Sequence, residues 1–212
     1  MPDAPETDVR VHGVQEEYFY MMVHPCLCGG AWASHSQTAE ETSGQVVHRV
    51  AAKCFRCGKE QAFRFRLDAP GGSKVAIREV NPTTEPSCAL DAAEWMQLAR
   101  FYLGRIERLK KPAERAQSLL DARQCLEEAL KFYGPGDDDP PPEALWSEKS
   151  RKALAHDRAA FRRAAIEAML EKIPPAQRLR QADAMEQKEF DKAVENLARE
   201  RRRKWWQFWK RN

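Results

Sequence analysis

A chain of 212 residues, 42% hydrophobic and 32% charged, is long enough for one or two domains with a buried core. No stretch approaches the roughly 18 uninterrupted apolar residues of a transmembrane helix, and the start, MPDAPETDVRVHGVQEE, lacks the basic and apolar regions of a signal peptide, so a cytoplasmic location is expected. The net charge of +3 is uneven, with seven cations against one acid in residues 199–212 and six against one in 46–66, so the rest of the chain is acidic and an anionic partner belongs at one of those two segments.

In chain order, residues 1–15 are polar and are expected to be a flexible N-terminus. Residues 16–82 hold four of the six cysteines, as Cys26-Leu-Cys28-Gly29 and Cys54-Phe-Arg-Cys57-Gly58. Two close pairs separated by a hairpin suit one tetrahedral Zn²⁺, and a glycine after each pair supplies the positive φ that such turns need. Two disulfides are the rival reading, but nothing in the sequence suggests an oxidising compartment. His24 and His48 lie near enough to be considered as substitute ligands, although histidines beside such sites are more often surface residues. Four thiolates close the coordination sphere, so the single zinc is expected to be structural and not catalytic. QVVHRVA (45–51) and QAFRFRL (61–67) read as strands, the second with Phe63, Phe65 and Leu67 on one face and Arg64 and Arg66 on the other. KVAIREV (74–80) is the expected hairpin partner of 61–67 across the turn A-P-G-G-S. Together these features describe a small zinc ribbon.

The quartet Cys26, Cys28, Cys54 and Cys57 resembles the ribbon of the CSL-type zinc fingers found in diphthamide-synthesis proteins. The resemblance covers about a quarter of the chain and implies four zinc ligands and a ribbon fold. That family follows its last cysteine with Ser-Leu, where this chain has Gly58-Lys59 and a longer insert.

N-P-T-T-E-P-S (81–87) reads as a rigid linker, with Ser87 or Asp91 as caps for the next helix. A helical bundle is expected over 88–173. Trp95, Leu98, Tyr102, Ile106 and Leu109 recur at helical spacing from about 90 to 110. Ala116, Leu119, Leu120, Leu126 and Leu130 do so from about 112 to 133. Trp95-x2-Leu98-Ala99-x2-Tyr102 and Ala122-x3-Leu126-x2-Ala129 resemble the two helices of a tetratricopeptide repeat. Only one such unit is visible, and a solenoid needs about three, so the stripe reads first as the core of a bundle. GPGDDDPPP (134–142) is a loop. Pro142 opens a third helix to Ile173, with Trp146, Ala153, Phe161, Ala165 and Met169 inward. Cys88 and Cys125 read as buried small hydrophobes.

Residues 176–212 form a charged C-terminal helix ending in RRRKWWQFWKRN. At about 100° per residue Trp205, Trp206, Phe208 and Trp209 share one face, with Arg201, Arg202, Arg203 and Lys204 around it. Such an end suits a partner's groove, a membrane interface, or packing on the chain's own body or a second copy. The fold class expected is therefore α+β: an N-terminal β zinc ribbon, an α-helical bundle and a long C-terminal amphipathic helix.

The sequence has no H-E-x-x-H, G-x-S-x-G, P-loop or dinucleotide fingerprint, so no enzymatic activity is expected. The leading expectation is a non-enzymatic zinc-binding adaptor that docks on a protein partner through its helical region and C-terminal end. A second is nucleic-acid binding through Lys53, Arg56, Lys59, Arg64 and Arg66. A third is peripheral attachment to an anionic membrane surface through the C-terminal helix, and that helix could also self-associate.

Overall fold

Strands β1 (Thr7–Val11), β2 (Trp32–Thr42), β3 (Gln45–Cys54) and β4 (Glu60–Leu67) form one sheet in the order β1-β4-β3-β2. The computed structural model describes residues 7–42, 45–68 and 80–180. β4 runs antiparallel to β3 and parallel to β1, so Val9 lies beside Phe65, and Val11 and Val46 both lie beside Leu67. The alternation expected for 61–67 holds: Phe63, Phe65 and Leu67 are buried while Arg64 and Arg66 point the other way. Helix α1 (Val14–Val23) buries Phe19, Met21 and Val23. Its Tyr20 meets Phe63 and Phe65 edge-on, at 6.4 and 5.8 Å between ring centroids. Edge-to-face geometry sets the positive ring edge against the negative ring face.

Three features differ from the sequence expectation. Residues 7–11, expected within a flexible terminus, are β1, because D-V-R-V alternates and finds the free edge of β4 some 50 residues later. α1 stands where only short strands were expected. Glu16 in its first turn favours a helix N-terminus. The hairpin expected between 61–67 and 74–80 finds both edges of β4 already taken from Phe63 to Leu67; residues 69–79 lie outside the described residues.

α1 also buries an ionisable pair. Glu17 is fully buried, with Oε1 2.6 Å from His48 Nδ1 on β3 and Oε2 accepting from Gln37 Nε2 on β2 at 3.2 Å. Burial pushes the Glu17 carboxyl up to about 8 and the His48 imidazole down. At neutral pH the carboxyl therefore keeps its proton and donates to Nδ1, and neither group bears the cost of a buried charge. A carboxyl raised in the folded state binds more protons there than in the unfolded chain, so stability falls as pH rises towards 8. About 2 kcal/mol is expected to be lost between about pH 6.5 and 8.5. Glu17→Gln keeps the donor without the titration, and its urea midpoint should be flat over that range. A Glu17→Gln protein with an unchanged pH slope would contradict the assignment.

The chain divides into two compact units, residues 1–94 and 95–212, with the division inside helix α2 (Ala92–Arg105). Asp91 caps α2: its Oδ1 accepts from the N–H groups of Ala93 and Glu94, and Glu94 returns a bond to the Asp91 N–H. This is a reciprocal capping box. Ser87 caps the turn before it through Ala89 and Leu90. Both cap candidates are therefore used.

In the second unit, a 3-10 turn (Ile106–Arg108) follows α2, and helix α3 (Pro112–Leu130) opens on Pro112. Trp95, Leu98, Ala99, Tyr102, Ala122, Leu126 and Ala129, the residues of the two tetratricopeptide-like half-motifs, are all buried. Their spacing thus marks core. The single helix expected over 142–173 is instead broken into a 3-10 turn (Pro142–Ala144), α4 (Glu148–His156), a second 3-10 turn (Arg158–Phe161) and α5 (Arg163–Leu170). Ser147 and Asp157 cause the breaks by accepting from Ser150 N and Ala160 N. The restarts shift the inward face. Leu145 and Ile166 are buried, and Trp146 is 44% exposed. The acidic loop is structural as well: Asp138 Oδ1 accepts from Ala164 N in the first turn of α5, and Asp139 holds Arg158 through two bonds of 3.0 and 2.8 Å. Helix α6 (Ala176–Arg180) begins the C-terminal segment. The rest of the charged helix expected over 176–212, with its aromatic and basic end, lies outside the described residues.

Candidate metal centre

Two tight turns converge at one end of the sheet. The first follows α1: Cys26 N–H donates to Gly30 O at 3.0 Å, and Gly29 N–H donates to Cys26 O at 2.6 Å. The second follows β3: Cys54 N–H donates to Lys59 O at 2.8 Å, and Gly58 N–H donates to Cys54 O at 3.0 Å. Gly29 and Gly58 have φ of +77° and +73°, the left-handed conformation that their place after each cysteine pair predicts. The turns are tied together directly. Phe55 N–H donates to Ala31 O at 2.9 Å, and the Arg56 guanidinium donates to Cys28 O at 2.7 Å.

This framework brings the sulfurs of Cys26, Cys28, Cys54 and Cys57 within 4.8 Å of one another. Cys26 and Cys57 are 3.7 Å apart, and Cys28 and Cys54 are 3.5 Å apart. Sulfurs about 2.3 Å from a tetrahedral zinc sit about 3.8 Å from each other. A disulfide would need about 2.05 Å. The four cysteines can hold a metal ion, and the spacing suits it. The electrostatics also fit. The backbone N–H groups of Cys57 and Arg56 pull the Cys54 thiol down to about 6. The Gly30 N–H acts in the same direction on Cys28, but the neighbouring thiols of Cys57 and Cys54 and desolvation outweigh it, and that thiol shifts up. Crowded thiols resist joint ionisation until a cation joins them.

Gly30 is a residue of the centre that the cysteine spacing did not single out. A Cβ on it would lie 2.5 Å from Cys54 Sγ and 2.6 Å from Arg56 Cβ. The doublet Gly29-Gly30 was the available signal: one glycine serves the turn and the other serves the close approach. The two nearby histidines are engaged elsewhere. His24 stacks on Tyr20 at 4.1 Å with its Nε2 3.3 Å from Glu94, and His48 meets Glu17.

The basic residues of the sheet are largely partnered. Arg64 and Arg66 reach Asp8 on β1 at 3.3 and 3.0 Å, and Arg10 pairs with Asp68. Asp8 lies opposite Arg64 only because β1 runs parallel to β4 in this register. Lys53, Arg56 and Lys59 are exposed beside the metal turns. Of the two other cysteines, Cys125 is buried as expected, whereas Cys88 is exposed, 3.7 Å from His12 Nε2. Cys88 falls in the turn before α2, where no helix face exists to cover it. Trp205, Trp206, Phe208, Trp209, Arg201, Arg202, Arg203 and Lys204 lie outside the described residues. Among the described residues, no helix is long and apolar enough to cross a membrane.

No protein-family model, curated protein or solved structure matches this chain.

Proposed function

We propose that this chain is a non-enzymatic zinc-binding adaptor, in which one structural Zn²⁺ held by Cys26, Cys28, Cys54 and Cys57 clamps a ribbon-like end of the sheet. The observation that carries the reading is the sulfur quartet with every member within 4.8 Å of the others. Four thiolates favour zinc over harder cations. They also fill a tetrahedral sphere, which leaves no position for an activated water. Protein docking is assigned to the helical region and to the aromatic and basic end, where Trp205, Trp206, Phe208 and Trp209 sit among Arg201, Arg202, Arg203 and Lys204. Nucleic-acid binding by the sheet face is the weaker reading, because Arg64 and Arg66 already face Asp8.

Two measurements test the proposal together. Metal analysis of the purified chain should return one zinc per molecule; a metal-free, folded chain would overturn the zinc assignment. A nuclease-treated pull-down from native cells should lose a specific protein when residues 199–212 are removed. A partner set unchanged by that removal would overturn docking through the C-terminal end.

A further inference from the structure

The metal turns do more than hold the centre. Leu27 and Phe55, one from each turn, are 97% and 80% exposed, the two most exposed large apolar side chains among the described residues. Leu27 lies between Cys26 and Cys28, and Phe55 directly follows Cys54, so the sulfur contacts and the bond from Phe55 N–H to Ala31 O hold the two exposed tips on adjoining turns, where they can present one patch. Neither tip is needed for the core. Lys53, Arg56 and Lys59, close to Phe55 in sequence, are exposed, as is Glu60, which lies opposite Lys53 in the sheet.

We infer that this patch is a membrane-interface contact, in which Leu27 and Phe55 enter the boundary between acyl chains and headgroups and Lys53, Arg56 and Lys59 meet anionic lipid phosphates. Protruding apolar side chains with long cationic ones close in sequence suit an interface that is apolar below and anionic above. The same patch fits a nucleic-acid strand poorly. Leu27 has no ring on which a base could stack, and a basic track along the sheet is interrupted where Arg64 and Arg66 pair with Asp8. Three cations and two apolar side chains form a weak contact, and stable attachment takes two such signals. The second is present in composition at the C-terminal end, with three tryptophans and a phenylalanine among basic residues.

The contact goes beyond the adaptor reading and depends on the zinc centre that fixes the turns. The test uses the full chain loaded with zinc. Its binding is measured to vesicles of phosphatidylcholine with phosphatidylserine, to phosphatidylcholine alone, and to a single-stranded RNA oligonucleotide. Binding should favour the anionic vesicles, and the double variant Leu27→Ser with Phe55→Ser should weaken it about tenfold or more. Zinc content should stay at the wild-type value, because both side chains point to solvent. The comparison is repeated in a chain with Trp205, Trp206, Phe208 and Trp209 changed to Ala, so that the C-terminal end cannot mask the loss. Vesicle binding that ignores Leu27 and Phe55 in both backgrounds overturns the inference, as does binding to RNA alone that needs Phe55. A chain without zinc in any background would refute the zinc assignment; zinc without vesicle binding refutes only the membrane contact.

Discussion

Replacing Cys54 by Ser, or stripping the metal with a chelator, is expected to unfold the sheet and leave the helices of residues 95–180 folded. Cys54 is buried at the end of β3, opposite Trp32 on β2, so it joins the metal turn to the ladder itself. Without a cation, four thiols held within 4.8 Å lose the interaction that justifies their crowding. Zinc binding to small thiolate sites is worth about 10–16 kcal/mol in apparent free energy, comparable to or above the roughly 5–15 kcal/mol stability of a whole domain. The second unit has its own core of Trp95, Leu119, Leu126 and Ile166, and none of these belongs to the metal turns. Hydrogen exchange should show protection lost over β1 to β4 and kept over α3 and α5. A Cys54→Ser chain that keeps one zinc and the protease resistance of its sheet would refute the prediction.

The second large effect is expected from a single methyl group. Gly30→Ala places Cβ 2.5 Å from Cys54 Sγ and 2.6 Å from Arg56 Cβ, and neither neighbour has a free way out. Cys54 is held by its backbone bond to Lys59, and a bound metal would hold its sulfur as well, while Arg56 is held by its bond to Cys28 O. The expected cost is about 1–3 kcal/mol in stability from overpacking. Displaced ligand geometry should also weaken zinc affinity about 10- to 100-fold, as measured by competition with a chromogenic chelator. Gly104→Ala is the internal control. Nothing lies within 4 Å of its added Cβ, and it sits inside α2, so about 0.5–1 kcal/mol of stabilisation is expected there. Equal effects at the two glycines would show that the close approach at Gly30 plays no part.

Between these cases lies the difference between local and distant information. The metal quartet was legible because chelation by two turns leaves a spacing rule and a glycine after each pair. The alternation of β4 was legible for a similar reason: one buried face imposes a period of two on neighbouring residues. The helical core was legible in α2 and α3, where the stripes run unbroken. Beyond Pro142 it held at Phe161, which is buried, but not at Trp146, which is exposed while Leu145 is buried, because Ser147 and Asp157 restart the helix. Capping residues in mid-segment outweighed a periodicity that continued past them.

What the residues determined unaided was the chemistry within reach of a few neighbours: four cysteines, their turns, the strand alternation and the starts of α2 and α3. Only the tertiary structure decided which distant groups meet. It set Asp8 against Arg64 and Arg66, and so turned an apparent anion-binding face into an ion-paired one. It buried Glu17 against His48, and it packed Gly30 onto the sulfur of Cys54. Each of those contacts joins residues more than 20 positions apart, where no local period links them and only the closing of the sheet brings them together.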